Sequence, residues 1–461
     1  MPSFSIQNFG CRVNQAEAFA WAEAFRDRGL RLEDDPGRSD LVLVNACTLT
    51  GRADRDVRRF VERVSRRNPG AGLVVTGCLA EGTREELAGM PQVRLVLANR
   101  EKHRLTEEVM ALAGGPEAGA AAGEAAPAAV PYRSRGLLKV QDGCDHSCTF
   151  CIIPSMRGRS TSVGPAEVLA GVKALVGLGY REVVLAGIHL SSYGEDLDPK
   201  GSLLDLLREV EEVPGLGRVR LSSLDPRRTD RALLDHVAGN PKVCQHFHLS
   251  LQHDSARVLR EMGRAAEAGA HEALLAGIKE RSPEAALGAD IIVGFPGETE
   301  DDFARLEDFL RRSPLTYVHV FSYSPRPGTP AAARPQLPSR VKRERAEALR
   351  WLSAEKNRRF QRSFIGRELE GVAIRSRAGK KMGAAIRPLE ETGERNVGST
   401  GVATGRASTV LTGNAIAVSV PAGAAAPREM VRVRIERVLP RGVEGSVIGR
   451  QFGPGREFTG T

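Results

Sequence analysis

The sequence predicts an α/β protein in three parts: an N-terminal open parallel sheet, a central partial (β/α)6 barrel, and a small C-terminal β-barrel. Three observations predict it. Short apolar runs alternate with helix-length segments as far as about residue 324, and parallel sheets need such crossovers between successive strands. The stretch LAGGPEAGAAAGEAAPAAV at 112–130 has no apolar period and interrupts that alternation, as a flexible linker does. From about residue 363 the pattern turns to short strand-like segments between Gly-rich turns, which suits a small antiparallel barrel. The chain has 461 residues, enough for about two to four domains. The expected divisions are 1–111, the linker 112–130, 131–362 and 363–461.

In the first part FSIQNFG, LVLVNAC and GLVVTGC read as buried strands, and PQVRLVLAN adds another. QAEAFAWAEAFRDRG and ADRDVRRFVERVSRRN are the helices between them. Cys11, Cys47 and Cys78 each fall at the C-terminal end of one strand. In an open α/β sheet those ends converge on one edge, where ligands bind. Three thiolates there suit an iron–sulfur or zinc site; three buried structural cysteines are the alternative.

In the second part GLLKVQDG, REVVLAGIH, RVRLSSLD, FHLSLQH, ADIIVGFPG and TYVHVFSYS are strand candidates. AEVLAGVKALVGLG, SLLDLLREVEE, SARVLREMGRAAEAG and TEDDFARLEDFLRR are the helices among them. About six β/α units argue a barrel or an open partial barrel, with its site at the C-terminal strand ends. Cys144, Cys148 and Cys151 lie on the loop after the first of these strands. That CxxxCxxC spacing lets three thiolates meet one metal cluster and leaves one iron open to bind a small molecule. Zinc is the chemical rival, with His146 as its nearest fourth ligand.

Lys plus Arg number 66 against 57 Asp plus Glu, an excess that favours a polyanionic partner such as nucleic acid. Neither an export segment nor an apolar run long enough for a bilayer is visible, so a cytoplasmic enzyme with no membrane partner is expected. Seven cysteines and a large apolar content argue against a disulfide framework.

CDHSCTFCIIPSMRGRS resembles the radical S-adenosylmethionine enzymes, and the rest of the chain narrows this to the methylthiotransferases. NFGCRVNQAE, VNACTLTGRAD, VVTGCLAE, LSSLDP, HFHLSLQ, ADIIVGFPGETEDDF and FSYSPRPGTPA carry the resemblance in order. It implies an N-terminal three-cysteine domain, a radical domain with a basic helical extension, and a C-terminal RNA-binding TRAM domain. GCRVNQAE and CTLTGRADRDVRR are similar to the subgroup that acts on N6-threonylcarbamoyladenosine at position 37 of tRNA. The alternatives are the isopentenyladenosine subgroup, the subgroup acting on a ribosomal-protein aspartate, and a noncatalytic RNA-binding protein with structural metal sites.

The resemblance implies two [4Fe-4S] clusters. The one on Cys144, Cys148 and Cys151 would bind S-adenosylmethionine and generate a 5′-deoxyadenosyl radical that abstracts hydrogen from C2 of the adenine. The one on Cys11, Cys47 and Cys78 would hold the sulfur to be inserted, and a second S-adenosylmethionine would donate the methyl group. A sulfide or polysulfide donor and a reductant such as flavodoxin or ferredoxin are implied partners. Phe150 is expected on the cofactor adenine, with ordinary packing as the alternative. Gly187 and His189 resemble a cofactor-binding turn, and Gly294, Pro296 and Gly297 a tight loop against the cofactor. Arg157 and Arg159 are candidates for the cofactor carboxylate or RNA phosphate, with solvated charge as the alternative. Glu298 reads as a helix cap and Cys244 as structural.

Several positions depart from the family pattern. Ser191 replaces the first glycine of GSYG, which puts the loop shape in doubt. Asp225 stands for the usual Glu, and His253 for a Ser. His246 and His248 have the spacing for one strand face and read as packing or supporting residues rather than metal ligands. VKRERAEALRWLSAEKNRRFQRSFIG reads as a long basic helix, either a phosphate contact or a strut. LEGVAIRS, AAIRPLEE, NAIAVSV and VRVRIERVLP are the C-terminal strands. Arg432 and Arg434 share a face there, and Ala415 replaces an aromatic that could stack on a base.

Overall fold

The computed structural model describes residues 1–114, 133–264, 267, 269–374, 408–440 and 442–452. Apart from Leu112, Ala113 and Gly114, the expected linker at 112–130 lies outside the described residues, as does the strand candidate AAIRPLEE.

The N-terminal part runs β1 (Ser3–Phe9), α1 (Arg12–Asp27), β2 (Arg31–Leu32), β3 (Leu41–Ala46), α2 (Gly51–Arg67), β4 (Gly72–Gly77), α3 (Cys78–Gly82), α4 (Arg84–Ala88), β5 (Val93–Leu97) and α5 (Leu105–Leu112). The sheet order is β2-β1-β3-β4-β5, all parallel. The alternation of apolar runs and helices fixed this sheet type. α1 is buried on most of its sides, with apolar residues facing two different cores. Ala18, Trp21, Ala22 and Phe25 enter the N-terminal core, whereas Val13, Ala16 and Phe19 enter the core of the central part. One helix is therefore shared by two hydrophobic cores, which fixes the N-terminal sheet against its neighbour.

The central part opens with β6 (Gly136–Lys139) and β7 (Gln141–Asp142), continues through α6 (Ile153–Arg157), β8 (Thr161–Ser162), α7 (Pro165–Gly177), β9 (Glu182–Ala186) and α8 (Leu203–Glu211), then β10 (Arg218–Leu221), β11 (Ser223–Leu224), α9 (Arg231–Gly239) and β12 (His246–Gln252). α10 (Ala256–Glu261), α11 (Ala270–Arg281), β13 (Ala286–Val293), α12 (Glu300–Arg312), β14 (Tyr317–Ser322) and α13 (Ser339–Arg362) complete it. The parallel strands form two sheets, β10-β9-β6 and β11-β12-β13-β14. A parallel bridge from Val219 to Val243 and the bond from Cys244 N to Val219 O (2.8 Å) join them. With β10 and β11 as one interrupted strand, six strands follow one another in chain order, the partial (β/α)6 barrel expected. β7 and β8 pair antiparallel and close the base of the loop that carries Cys144, Cys148 and Cys151.

One helix departs from expectation. Within the segment 255–269 the helix α10 stops at Glu261, because Gly263 adopts φ +71°, the left-handed conformation that ends helices. Glu298 is not a helix cap either. Thr299 caps α12, in a capping box with Asp302, while Glu298 Oε2 accepts from Gly294 N (2.7 Å) and Phe295 N (3.2 Å) and ties down the turn before it.

The last part comprises β15 (Glu368–Ile374), β16 (Ser408–Thr412), β17 (Ala417–Val420), β18 (Met430–Leu439) and β19 (Gly442–Phe452), closed in the order β15-β16-β17-β19-β18. It docks at the N-terminal ends of β9 and β10, opposite the cysteine loop. Glu182 there is fully buried and pairs with Arg218 (2.5 Å), Arg220 (2.9 Å) and Arg135 (3.4 Å). The same two arginines reach across: Arg218 donates to the carbonyls of Glu370 (3.1 Å) and Leu411 (2.7 Å), and Arg220 to those of Gly413 (3.1 Å) and Thr412 (2.9 Å). α13 packs Ala346, Leu349 and Leu352 on the barrel core, and Phe360 and Phe364 at its far end belong to the C-terminal core. The basic helix is thus a strut between the two. None of the described helices is long and apolar enough to cross a membrane.

Burial raises the Glu182 carboxyl, but the Arg218, Arg220 and Arg135 guanidinium groups overcome this and hold it far below the usual range. A carboxyl lowered on folding stabilises above its unfolded value of about 4.3 and loses that contribution as pH falls through the folded value. Glu182→Gln leaves three buried guanidinium groups without their carboxylate and is expected to cost about 3–5 kcal/mol. A lower urea midpoint at neutral pH, with a difference from the unaltered protein that narrows under strong acid, is the expected result.

Candidate active site between two thiol sets

The three N-terminal cysteines come together as the topology requires. Cys11 is the N-cap of α1, Cys47 follows β3, and Cys78 opens α3 directly after β4. Gly77 holds φ +106°, and a Cβ there would stand 2.3 Å from Ala46 O, so only glycine lets β4 turn Cys78 toward Cys47. Cys47 and Cys78 are buried and Cys11 half-buried. The thiol of Cys11 donates to Asn14 Oδ1 (3.1 Å), and Leu49 N donates to Cys47 Sγ (3.4 Å). Burial, reinforced by the neighbouring thiols, pushes Cys47 far up. Burial also raises Cys11, against the opposing charge of Arg157.

The second set hangs between β7 and β8. Gly143 adopts φ +67°, and a Cβ on it would meet Arg159 O at 1.9 Å; this close crossing brings the two ends of the loop together. Cys144 N donates to Gly158 O (3.1 Å) and Cys151 N to Cys148 O (3.0 Å). Thr149 is pinned to the end of α10, its N on Met262 O (3.0 Å) and its Oγ1 on Glu261 O (2.8 Å). Burial first, then Cys148 and Cys144, pushes Cys151 up to about 12. Arg264 opposes this from 3.8 Å at Cys148 Sγ.

Among the described residues, the groups of three that bring metal-ligating atoms within 4.8 Å of one another are His146–His189–Asp225 and His248–Asp290–His319. Neither thiol set is so compact, whereas tetrahedral zinc would hold its sulfurs about 3.8 Å apart. Three soft thiolates gathered on one sheet edge or one loop are the donor set of an iron–sulfur cluster. His146 does not complete a zinc site. Its Nε2 lies 3.2 Å from His189 Nε2 and 3.4 Å from Arg227, and burial, His189 and Arg227 bring its pKa down to about 4.

Beside the second set lies a carboxylate held ionised. Asp225 Oδ2 meets Arg227 (2.8 Å), Arg264 (3.2 Å) and His189 Nε2 (3.3 Å). Burial raises its carboxyl, but His189, Arg227 and Arg264 hold it far below the usual range. Two guanidinium groups on this carboxylate leave no place for a metal ion. Gly187 N donates to Ser222 Oγ (3.3 Å), and His189 N to Gln141 Oε1 (2.8 Å). Phe150 packs against the cluster of Val258, Met262, Phe295, Tyr323 and Ala331. Gly294 sits in the turn that Glu298 ties down.

Two departures compensate each other. Ser191 lies in a 3-10 turn, and positive φ falls instead on Gly194, so the doubt over the loop shape does not arise. Ser191 Oγ accepts from Asp225 N (2.9 Å), which fixes the shorter acid in place. His253 is fully buried; its Nδ1 accepts from Ser255 N (2.9 Å) and its Nε2 stands 3.6 Å from Glu298, a packing role. Arg159 is 92% exposed and pairs with Asp145, a solvated charge.

Arg157 corrects the sequence reading. Its side chain is only 1% exposed and contacts Asp142 (2.8 Å), Glu17 (3.1 Å) and Asn14 (3.1 Å), so it is neither a cofactor-carboxylate nor a phosphate contact. Glu17 also holds Lys102 (2.5 Å) and Lys139 (3.6 Å), and Asn14 Nδ2 donates to Asn45 Oδ1 (3.0 Å). Burial raises Glu17, but Arg157, Lys102 and Lys139 hold it far below the usual range. This network joins the helix after the second thiol set to the helix that begins at the first. A second clamp sits opposite, where Arg326 donates to Thr48 Oγ1 (2.5 Å) and Asp54 Oδ2 (2.7 Å). Sequence reasoning missed Glu17, Asp142, Gln141, Arg264 and Arg326; Glu17 is a single acid inside α1, and the others are charged or amide side chains at strand ends or turns.

Arg157→Ala leaves Glu17 to Lys102 and Lys139 and Asp142 to Lys139 alone, at an expected cost of about 1–3 kcal/mol. Hydrogen exchange should quicken in α1 and in residues 46–51. Arg157→Lys should restore only part of the protection, since an ammonium cannot fork to both acids and Asn14. Unchanged exchange in Arg157→Ala would contradict the assignment.

Residues 3–98 match the family described as Uncharacterized protein family UPF0004, and residues 138–310 match the Radical SAM superfamily. A threonylcarbamoyladenosine tRNA methylthiotransferase of Aquifex aeolicus is 37% identical over 80% of this chain and 92% of its own length. That of Thermotoga maritima is 34% identical over 81% and 87%. A tRNA-2-methylthio-N(6)-dimethylallyladenosine synthase of Corynebacterium urealyticum is 33% identical over 82% and 73%. Among solved structures, a radical S-adenosylmethionine methyltransferase of Kitasatospora setae superposes with a TM-score of 0.52 at 17% identity, covering 72% of this chain and 77% of that one, a likeness of fold. With both thiol sets in place and relatives matched along most of their length, the chain belongs to the radical S-adenosylmethionine methylthiotransferase family.

Proposed function

We propose that this chain is a tRNA methylthiotransferase that converts N6-threonylcarbamoyladenosine at position 37 to its 2-methylthio derivative. The observation that carries this is the pair of three-thiol sets on two parts joined by α1 and the Arg157 network. Relatives named for threonylcarbamoyladenosine and the GCRVNQAE loop support the substrate. Cys144, Cys148 and Cys151 would hold one [4Fe-4S] cluster that supplies the electron for cleaving S-adenosylmethionine, and Cys11, Cys47 and Cys78 a second that supplies the sulfur to be inserted.

The chain's own residues do the rest. Arg264 places a cation beside Cys148, 3.8 Å from its sulfur. Asp225, ionised and anchored by His189, Arg227 and Arg264, lines the cofactor side with Gly187 and His189. Phe150 and the Gly294 turn form the wall beneath. Burial of Cys47 and Cys78 keeps water from the sulfurs of the first set. The closed C-terminal barrel acts as a TRAM domain, with exposed Arg432 on β18 offered to RNA phosphate beside Arg434, which pairs with Glu368 (2.7 Å). A cytoplasmic setting, a sulfide or polysulfide donor and a flavodoxin- or ferredoxin-like reductant complete the proposal.

Nucleoside mass spectrometry of tRNA from cells with and without the gene tests it. Loss of 2-methylthio-N6-threonylcarbamoyladenosine with accumulation of its precursor is expected. Loss of the isopentenyl analogue instead would move the substrate to the class of the Corynebacterium relative, and no change in either would remove tRNA. In the purified, anaerobically reconstituted protein, Cys148→Ala is expected to abolish 5′-deoxyadenosine formation. Cys47→Ala is expected to retain it while losing methylthio product.

A further inference from the structure

The inner face of the barrel carries a polar recess that the two thiol sets do not explain. Strand alternation puts His246 and His248 of β12, Gly288 and Asp290 of β13, and Tyr317 and His319 of β14 on one face, in a register that sets Gly288 opposite both His248 and Tyr317, and Asp290 opposite His319. The other face supplies Phe247, Leu249, Leu287, Ala289 and Val318 to the apolar core. Barrel interiors are ordinarily filled with branched apolar side chains, so six polar or vacant positions in one block need a reason.

Hydrogen bonds order this block. Asp290 Oδ1 meets His248 Nε2 at 2.9 Å and His319 Nδ1 at 3.4 Å. Tyr317 Oη bridges His248 Nδ1 (3.1 Å) and His246 Nε2 (2.8 Å), in the room left by Gly288, where a Cβ would stand 2.1 Å from the Tyr317 ring. Asp290 Oδ2 and His319 Nε2 have no hydrogen-bond partner among the described residues, and the two side chains stay 21% and 27% exposed. The recess is therefore open where its polar atoms are unused. Arg12, the residue after Cys11, acts electrostatically on His246, Tyr317 and His319, which places it against the same recess.

We propose that Asp290 and His319 line the subsite for the N6 substituent of the target adenosine and select a polar group that carries hydrogen-bond donors. Resting on the substrate class given above, it names the residues that read that substrate. Asp290 offers an acceptor to an amide or hydroxyl donor, and His319 Nε2 a hydrogen bond. His248, Asp290 and His319 bring ligating atoms within 4.8 Å of one another, so a metal ion is the rival occupant that the test below separates from the substrate. An apolar isopentenyl group would leave Asp290 and His319 desolvated and unpaired, the circumstance in which a polar site rejects an analogue most strongly.

The test uses the reconstituted holoenzyme and anticodon stem-loop RNAs bearing N6-threonylcarbamoyladenosine, N6-isopentenyladenosine or adenosine at position 37. The unaltered protein is expected to bind the threonylcarbamoyl RNA more tightly than the adenosine RNA. Asp290→Asn and His319→Phe are each expected to lower that preference about 10- to 100-fold while iron content and affinity for the adenosine RNA hold. A folding defect would instead move all three quantities together, so His319→Gln, which keeps polarity and volume, is measured alongside and should recover part of the preference. An unchanged preference in both Asp290→Asn and His319→Phe overturns the subsite, as does one zinc or iron ion per chain, beyond the clusters, that is lost with His319→Phe. Turnover of the isopentenyl RNA alone by the unaltered protein overturns the substrate class itself.

Discussion

The buried ion network of Arg157, Glu17 and Asp142 is the contact on which the site depends. Each thiol set is made within its own part of the chain, one by strand ends of the N-terminal sheet and the other by a loop of the barrel. Neither can serve a common substrate unless the two parts hold a fixed relation. The shared helix α1 provides apolar contact on two sides, which is non-directional. The network adds direction, because a guanidinium with two carboxylates and an amide around it tolerates little change of geometry. Removing one member is costly because the others stay buried, so the arrangement resists drift.

The same device recurs at the far end, where Arg218 and Arg220 share Glu182 and spend their remaining donors on backbone carbonyls of the C-terminal barrel. Carbonyls accept without adding charge, so one buried carboxylate anchors two arginines that in turn hold a neighbouring part. The two ends of the barrel thus have distinct tasks: the C-terminal strand ends face the thiols, and the N-terminal ends carry the small barrel.

Much of this was legible in the sequence. Apolar runs closed by Cys11, Cys47 and Cys78 fixed both the parallel sheet and the meeting of the thiols, because topology alone brings strand ends together. The short spacing of Cys144, Cys148 and Cys151 fixed the second set. Arg157 was not legible: it follows a loop among other charges, and its partner Glu17 lies 140 residues away. Gly263 was read through as helix because a single glycine inside a periodic segment carries a weak signal against the periodicity around it. Asp290 and His319 were hidden for the opposite reason. Each sits in an apolar strand where one polar residue reads as an exception, and only the register of three strands puts them side by side.

The central claim, that both thiol sets open on one space, is tested most directly by electron paramagnetic resonance of the anaerobically reconstituted, reduced protein. Both clusters are then paramagnetic, and the account predicts a magnetic interaction between them that disappears in Cys47→Ala. A spectrum that is the plain sum of two isolated clusters, unchanged in shape when either is removed, would contradict it.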